Sequence, residues 1–145
     1  IVDAVLQHSK KDDESSDPPL LTALRIADKL DRLGPLGILA VAANFGSLLP
    51  PYKTEKAFGY ESTAEKKLET LYGGLFRMLE WYKMLPSDEA RSLVDIRRLR
   101  FYIRFLHMLG EELSEATGQE NLVDNDIRKA LGSRYYKVFG LESSP

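Results

Sequence analysis

Three arginines recur one turn apart along a single stretch, Arg97, Arg100 and Arg104, with His107 following. At about 100° per residue these four and Glu111 lie within roughly 80° of one another, one face of a helix. Guanidinium forks grip phosphates, and the flanking Phe101 offers a ring on which an unpaired base can stack, with Met108 beside it. A second cluster, Arg128, Lys129, Arg134 and Lys137, encloses Tyr135-Tyr136 and repeats that mixture. Arg25, Lys29 and Arg32 share one face of an earlier stretch. If these clusters face one groove, they form a track for a nucleic-acid backbone. The competing reading keeps them at home. Glu111 to Asp126 contains acids at 111, 112, 115, 120, 124 and 126 and no Lys or Arg. The arginines can then join helices to that stretch by ordinary salt bridges, and a charge cluster is often only a solvated face.

Other chemistry has little to stand on. His8 and His107 are the only histidines, and neither has a His-x-x-x-His or Glu-x-x-His neighbour. No Gly-x-Ser-x-Gly elbow and no phosphate loop occurs. Asp124-Asn125-Asp126 begins like a calcium loop but lacks the required Gly and closing Glu, so Asp124 reads as a helix cap. His107 reads as a half-exposed residue paired with Glu111 one turn on. The expectation is a non-enzyme with no cofactor and no metal.

The elements that must position these residues are all helical. Ser87 can cap a long central helix to about Thr117, with Asp88 and Glu89 in its first turn. Ile96, Leu99, Ile103, Leu106, Gly110 and Leu113 repeat at three- and four-residue steps as its buried stripe. Gly110 marks a close helix crossing. Pro18-Pro19 opens a helix over Leu20 to Leu33, with Leu20, Ala23, Leu24, Ala27 and Leu30 inward and the Arg25 row outward. Leu36 to about Leu48 is apolar all round, the pattern of a core helix. Tyr52 to Tyr60 reads as a loop. Ser62 to Glu65 fits a capping box for a helix from Thr63 to Met84, which the short Leu85-Pro86-Ser87 link sets beside the central helix. A last helix runs from Asn125 to Phe139, with Ile127, Leu131, Tyr135 and Val138 inward. No strand alternates over more than a few residues. The fold class is all-α, a single bundle of about five helices with a long central helix. It divides into a short N-terminal helix and polar linker over 1–17, the bundle over 18–140 and a tail over 141–145.

Composition agrees with one helical domain. The chain has 145 residues, 43% of them hydrophobic, enough to bury a core without staples. It has no cysteine, which excludes disulfides and thiolate metal sites and makes the reducing cytosol the expected compartment. No apolar run approaches the ~20 residues that span a bilayer, and no membrane partner is expected. The first residues, Ile1-Val2, include no initiator methionine. That is expected if the true start lies upstream or if the chain is a processed or internal piece of something longer.

From Lys67 to Leu113, the pairing of KLETLYGGLFRMLEWYKML with the longer ARSLVDIRRLRFYIRFLHMLGEEL resembles the small, all-helical subunits of CRISPR effector complexes. The resemblance lies in helix pattern and arginine placement. It implies a non-catalytic subunit that packs on the other protein subunits of a larger complex. It also implies basic faces that hold a guide RNA–target duplex or a displaced single strand. The net charge of −2 departs from a dominantly nucleic-acid-binding surface and favours a share of scaffolding. The alternative is a helical protein–protein interaction module, or an accessory subunit of a large protein assembly, with no nucleic-acid contact. Tyr72, Phe76, Trp81, Phe101 and Tyr102 are then the candidates for an exposed apolar patch.

Overall fold

A computed structural model of the chain describes residues 18–61 and 67–139. Among these are seven helices: α1 (Pro19–Asp31), α2 (Pro35–Phe45), α3 (Leu71–Lys83), α4 (Asp88–Ser92), α5 (Ile96–Thr117), α6 (Val123–Leu131) and α7 (Arg134–Phe139). No strand occurs among the described residues, only an isolated bridge between Lys53 and Lys56. The all-α reading holds. The N-terminal helix and linker over 1–17, the capping box at Ser62 to Glu65 and the tail over 141–145 lie outside the described residues.

The core is where α3, α5 and α6 meet. Phe76, Leu79, Leu99, Tyr102, Leu106, Ile127, Ala130 and Leu131 are almost wholly buried there. Helix α3 packs most extensively on α6, then on α2. The central helix reaches α3 instead through a side chain, the Tyr102 hydroxyl donating to the Leu75 carbonyl at 2.9 Å. The 3.6-residue stripe places all of Leu99, Ile103, Leu106, Gly110 and Leu113 inward as expected, whereas Ile96 is 45% exposed. A Cβ at Gly110 would collide with the side chains of Val123 and Asn121. The glycine therefore marks the α5–α6 crossing that the spacing predicted. Gly118, at φ 67°, then ends α5 in the left-handed region.

Several boundaries are corrected. The central helix does not run unbroken from Ser87. Ser87 caps only α4, its hydroxyl accepting from the Ala90 N–H at 3.2 Å. The chain breaks at Leu93 to Asp95, and Asp95 recaps α5 through the Arg97 N–H at 2.9 Å. An Asp three residues past a helix end can restart a helix, because its carboxylate supplies a partner for an N–H that lacks one. The helix expected from Thr63 begins at Leu71. Thr70 is its cap, and the Leu71 and Tyr72 N–H groups donate to the Pro50 and Pro51 carbonyls at 3.0 Å. The last helix is two helices, divided at Gly132, whose φ of 56° and ψ of −135° no helix contains. Asp124 is not a cap: α6 has no side-chain cap on Leu122, and the Val123 N–H donates to Asn121 at 3.1 Å.

Two faces are turned against expectation. Helix α1 buries Leu21 and Arg25, while Leu20, Ala23 and Ala27 are exposed. Its inward side is held by the Arg32 guanidinium, which lies 5.3 Å from the Trp81 ring centroid on α3. Helix α2 is not surrounded. It buries Gly37 and Val41, and Leu36 and Leu39 are 59% and 64% exposed.

Candidate nucleic-acid interface

The break at Gly132 decides where the second basic cluster goes. Helix α6 keeps Arg128 and Lys129. Helix α7 turns away and brings Lys137 to α5. There Arg100, Arg104 and His107 of α5 and Lys137 of α7 line one cleft of about 490 Å³. Ile96, Ile103, Val138 and Phe139 supply its apolar walls, and no carboxylate of the described residues lines it. Two residue sets separated by some thirty positions thus share one site.

The partners of these cations separate them. Arg100 and Arg104 are exposed and take part in no salt bridge among the described residues. Lys137 is 3.7 Å from Asp88, leaving its ammonium mostly in solvent. His107 does not pair with Glu111. Its Nε2 lies 3.6 Å from Asp124, because the first turn of α6 is packed on α5 at that level. The cleft therefore gathers more positive charge than the described carboxylates around it neutralise. Charge-assisted contacts to phosphate oxygens would satisfy it, and the Phe139 ring, 38% exposed, gives a base something to rest on.

The remaining sequence candidates do not join this cleft. Arg97 is exposed but turned back onto Asp95, with Nη2 to Oδ2 at 3.0 Å. The hydrogen bond from its side chain, with a second from its own N–H, holds the Asp95 carboxyl below its ordinary range. Arg134 is tied to Asp88 at 2.7 Å. Arg128 lies over the buried Tyr135 ring, 4.4 Å from its centroid. Lys129 sits 3.8 Å from Asp126. Arg25 is buried, correcting its place in an outward row; Arg32 pairs with Asp28 at 3.1 Å; Lys29 stays on α1, away from the cleft. Among the described residues, the acidic stretch from Glu111 to Asp126 takes none of the arginines. Its ion pairs there are Asp124 with His107 and Asp126 with Lys129.

Sequence reasoning missed two carboxylates. Asp88 was legible as a first-turn helix acid, but it also joins α4 to α7 by meeting Arg91, Arg134 and Lys137. Desolvation pulls its pKa up, and the three cations outweigh that and hold it down. Nothing in the sequence pairs positions 88 and 134. Asp126 is fully buried and accepts from the Tyr72 hydroxyl at 2.7 Å and the Gly59 N–H at 2.9 Å. An acid among the inward positions of a helix was the signal that could have found it. With Gln119, which accepts from the Ala57 N–H at 3.0 Å and donates to the Thr54 carbonyl at 2.8 Å, Asp126 ties the segment before Tyr60 to the bundle.

That segment rims a second depression of about 420 Å³, with Lys53, Lys56 and Lys67 on its walls. Glu61 and Glu69 share the walls, and Lys53 is paired with Glu69, whose hydrogen bond raises the lysine pKa. Three lysines against two glutamates leave it less excess positive charge than the α5–α7 cleft. No helix among the described residues is long and apolar enough to cross a membrane. Comparison with protein-family models, with curated proteins and with solved structures gives no match to this chain, so the cleft's own chemistry carries the functional reading.

Proposed function

We propose that the chain is a non-catalytic helical subunit of a nucleoprotein complex, of the CRISPR effector type that its α3–α5 sequence resembles. In this reading the α5–α7 cleft holds a nucleic-acid backbone. The observation that carries it is the convergence of Arg100, Arg104, His107 and Lys137 on a cleft with no described acid in its lining. A cation with an internal partner must give that partner up before it can bind a phosphate. Arg100 and Arg104 have no such partner among the described residues. Arg97 and Arg134 do, and they are secondary.

The test is binding to a labelled single strand and a duplex across a salt series, wild type beside Arg100→Ala with Arg104→Ala. Circular dichroism checks that both are folded. For every phosphate that a variant no longer neutralises, the log–log slope flattens by roughly 0.7 to 0.9. Binding by wild type with a slope shallower by about 1.5 in the double variant supports the cleft. No binding by wild type, or an unchanged slope, removes the nucleic-acid reading.

A second reading, a protein-interaction module without nucleic-acid contact, is favoured by one observation: the open apolar face of α2. Of the aromatic candidates, Tyr72, Phe76 and Tyr102 are core residues, Trp81 is half-buried, and Phe101 is 46% exposed. The apolar exposure that matters is aliphatic.

A further inference from the structure

The cleft between α5 and α7 has two kinds of wall, and a phosphate backbone uses only one of them. Arg100, Arg104, His107 and Lys137 supply charge, while Ile96, Ile103, Val138 and Phe139 supply an apolar surface beside it. Ile103 is buried, as a residue of the inward stripe should be. Ile96 and Phe139 are exposed, although the helix period places Ile96 on that same stripe. Folding therefore leaves two large apolar side chains open at the place where the cations gather.

The Phe139 ring is supported from one side. It lies 4.7 Å from the ring centroid of the buried Tyr135, with 35° between the planes. The Arg128 guanidinium lies over the same tyrosine, 4.4 Å from its centroid. A ring held in this way loses little freedom when another flat group settles on it. Stacking on an aromatic face is open to every base, but only to a base that has left its own stack. In a duplex the bases face one another, and the outside offers phosphates and sugars. A duplex laid on this cleft would reach the cations but bring its charged backbone onto Ile96 and Phe139, which give a phosphate no partner. An unpaired nucleotide fits both walls, its phosphate on the guanidinium groups and its base on the apolar side.

The spacing of the cations sets the length of the ligand. Arg100, Arg104 and His107 rise along α5 by about 6 Å and then about 4.5 Å. A row about 10 Å long is more than one phosphate can touch. A free nucleotide would leave part of it empty, and a strand would not. We propose that the α5–α7 cleft is a pocket for an unpaired nucleotide within a single strand, with phosphates on Arg100 and Arg104 and one base on Phe139 and Ile96. This rests on the nucleic-acid reading of the cleft and adds a base contact that a backbone track lacks. The cleft volume of about 490 Å³ lies in the range of pockets that enclose a small organic group.

The test compares labelled ligands of equal length: a single strand, the same strand with abasic sites throughout, and a blunt duplex. The abasic strand keeps every phosphate and has no base. The intact strand should bind about tenfold more tightly than the abasic one, within what a single stacked base contributes. It should also bind more tightly than the duplex, which carries twice its charge. Phe139→Ala, with a circular dichroism spectrum like that of wild type, should bring the two strands within about twofold of each other. Ile96→Ala stands on the other helix and answers the question if Phe139→Ala disturbs α7; it should shrink the preference about threefold. Equal binding of the intact and abasic strands, with a salt slope that depends on Arg100 and Arg104, leaves the cleft a backbone track and overturns the pocket alone. A preference that survives both substitutions places the base elsewhere and overturns it too. So does a duplex that binds as tightly as the strand, or a mononucleotide that displaces the strand at equal concentration. No binding of any ligand removes the nucleic-acid reading and this proposal with it.

Discussion

Two regions of the molecule treat charge in opposite ways. Between α3 and α6, Asp126 and Glu80 are carboxylates buried beneath the surface, and each is met by a tyrosine hydroxyl at 2.7 Å, from Tyr72 and Tyr60. Between α5 and α7, the Arg100 and Arg104 guanidinium groups stand in solvent with no described carboxylate beside them. Burying a polar group without partners costs far more than the net gain of an average hydrogen bond, so the first arrangement is a condition of folding. An exposed cation costs almost nothing to leave unpaired, so the second can be kept for something outside the chain. Charge in the dry region holds the protein together, and charge in the wet region is free to act.

Removing one group from each region is the strongest way to break that contrast. Asp126→Ala strands the Tyr72 hydroxyl and the Gly59 N–H in a site that excludes water. It should cost about 3 kcal/mol in urea denaturation. Arg100→Ala with Arg104→Ala should leave stability within about 0.5 kcal/mol. Its effect should fall on binding instead, where tenfold weaker affinity corresponds to about 1.4 kcal/mol. If the arginine pair destabilises the fold as much as Asp126→Ala does, the division between the two regions fails.

Alkaline pH sharpens the dry side. Burial first, then the negative charge and hydrogen bond of Asp126, push the Tyr72 hydroxyl above its usual value of 10.0. Burial alone does the same to Tyr102. A raised tyrosine pKa contributes stability that is complete below the unfolded value near 10 and is lost as pH climbs past it. Each of these residues should therefore add a fall of about 1.4 kcal/mol per pH unit above pH 10. Denaturation at three pH values spaced about one unit apart from about pH 9 upward should show one increment less in Tyr72→Phe and one less in Tyr102→Phe. An unchanged slope would place their hydroxyls in water. The smallest effect belongs to Arg128. Losing its stack on Tyr135 should cost about 0.5 to 1 kcal/mol of stability and leave the salt slope of binding untouched. A change in that slope would return Arg128 to the interface.

The stripe of α5 was legible because burial repeats with the helix period, and a glycine within it has few uses other than a crossing. The ends of helices were less legible. Asp95 and Thr70 became caps only where the chain had already turned, and Gly132 divides a run that is periodic on both sides. Helix α1 misled because its apolar side looked inward by composition. The buried stem of Arg25 and the stacking of Arg32 on Trp81 are tertiary contacts that no local period contains. The arginine row on α5 was readable as a face, but which of its members are free was not. Arg97 found Asp95 next door, Arg98 found Asp31 at 3.7 Å, and Arg100 and Arg104 found no carboxylate among the described residues.

By itself the sequence determined the all-helical class, the inward stripe of the central helix and the row of basic side chains on its far side. Those follow from spacing along one chain, where each residue's direction is set by the residues beside it. Only the tertiary structure decided that α7 shares a cleft with α5, that Asp88 takes Arg134 while Arg100 stays without a described partner, and that α2 shows its leucines to solvent. Those depend on which surfaces meet, and two stretches dozens of residues apart carry no local signal of the contact that will join them.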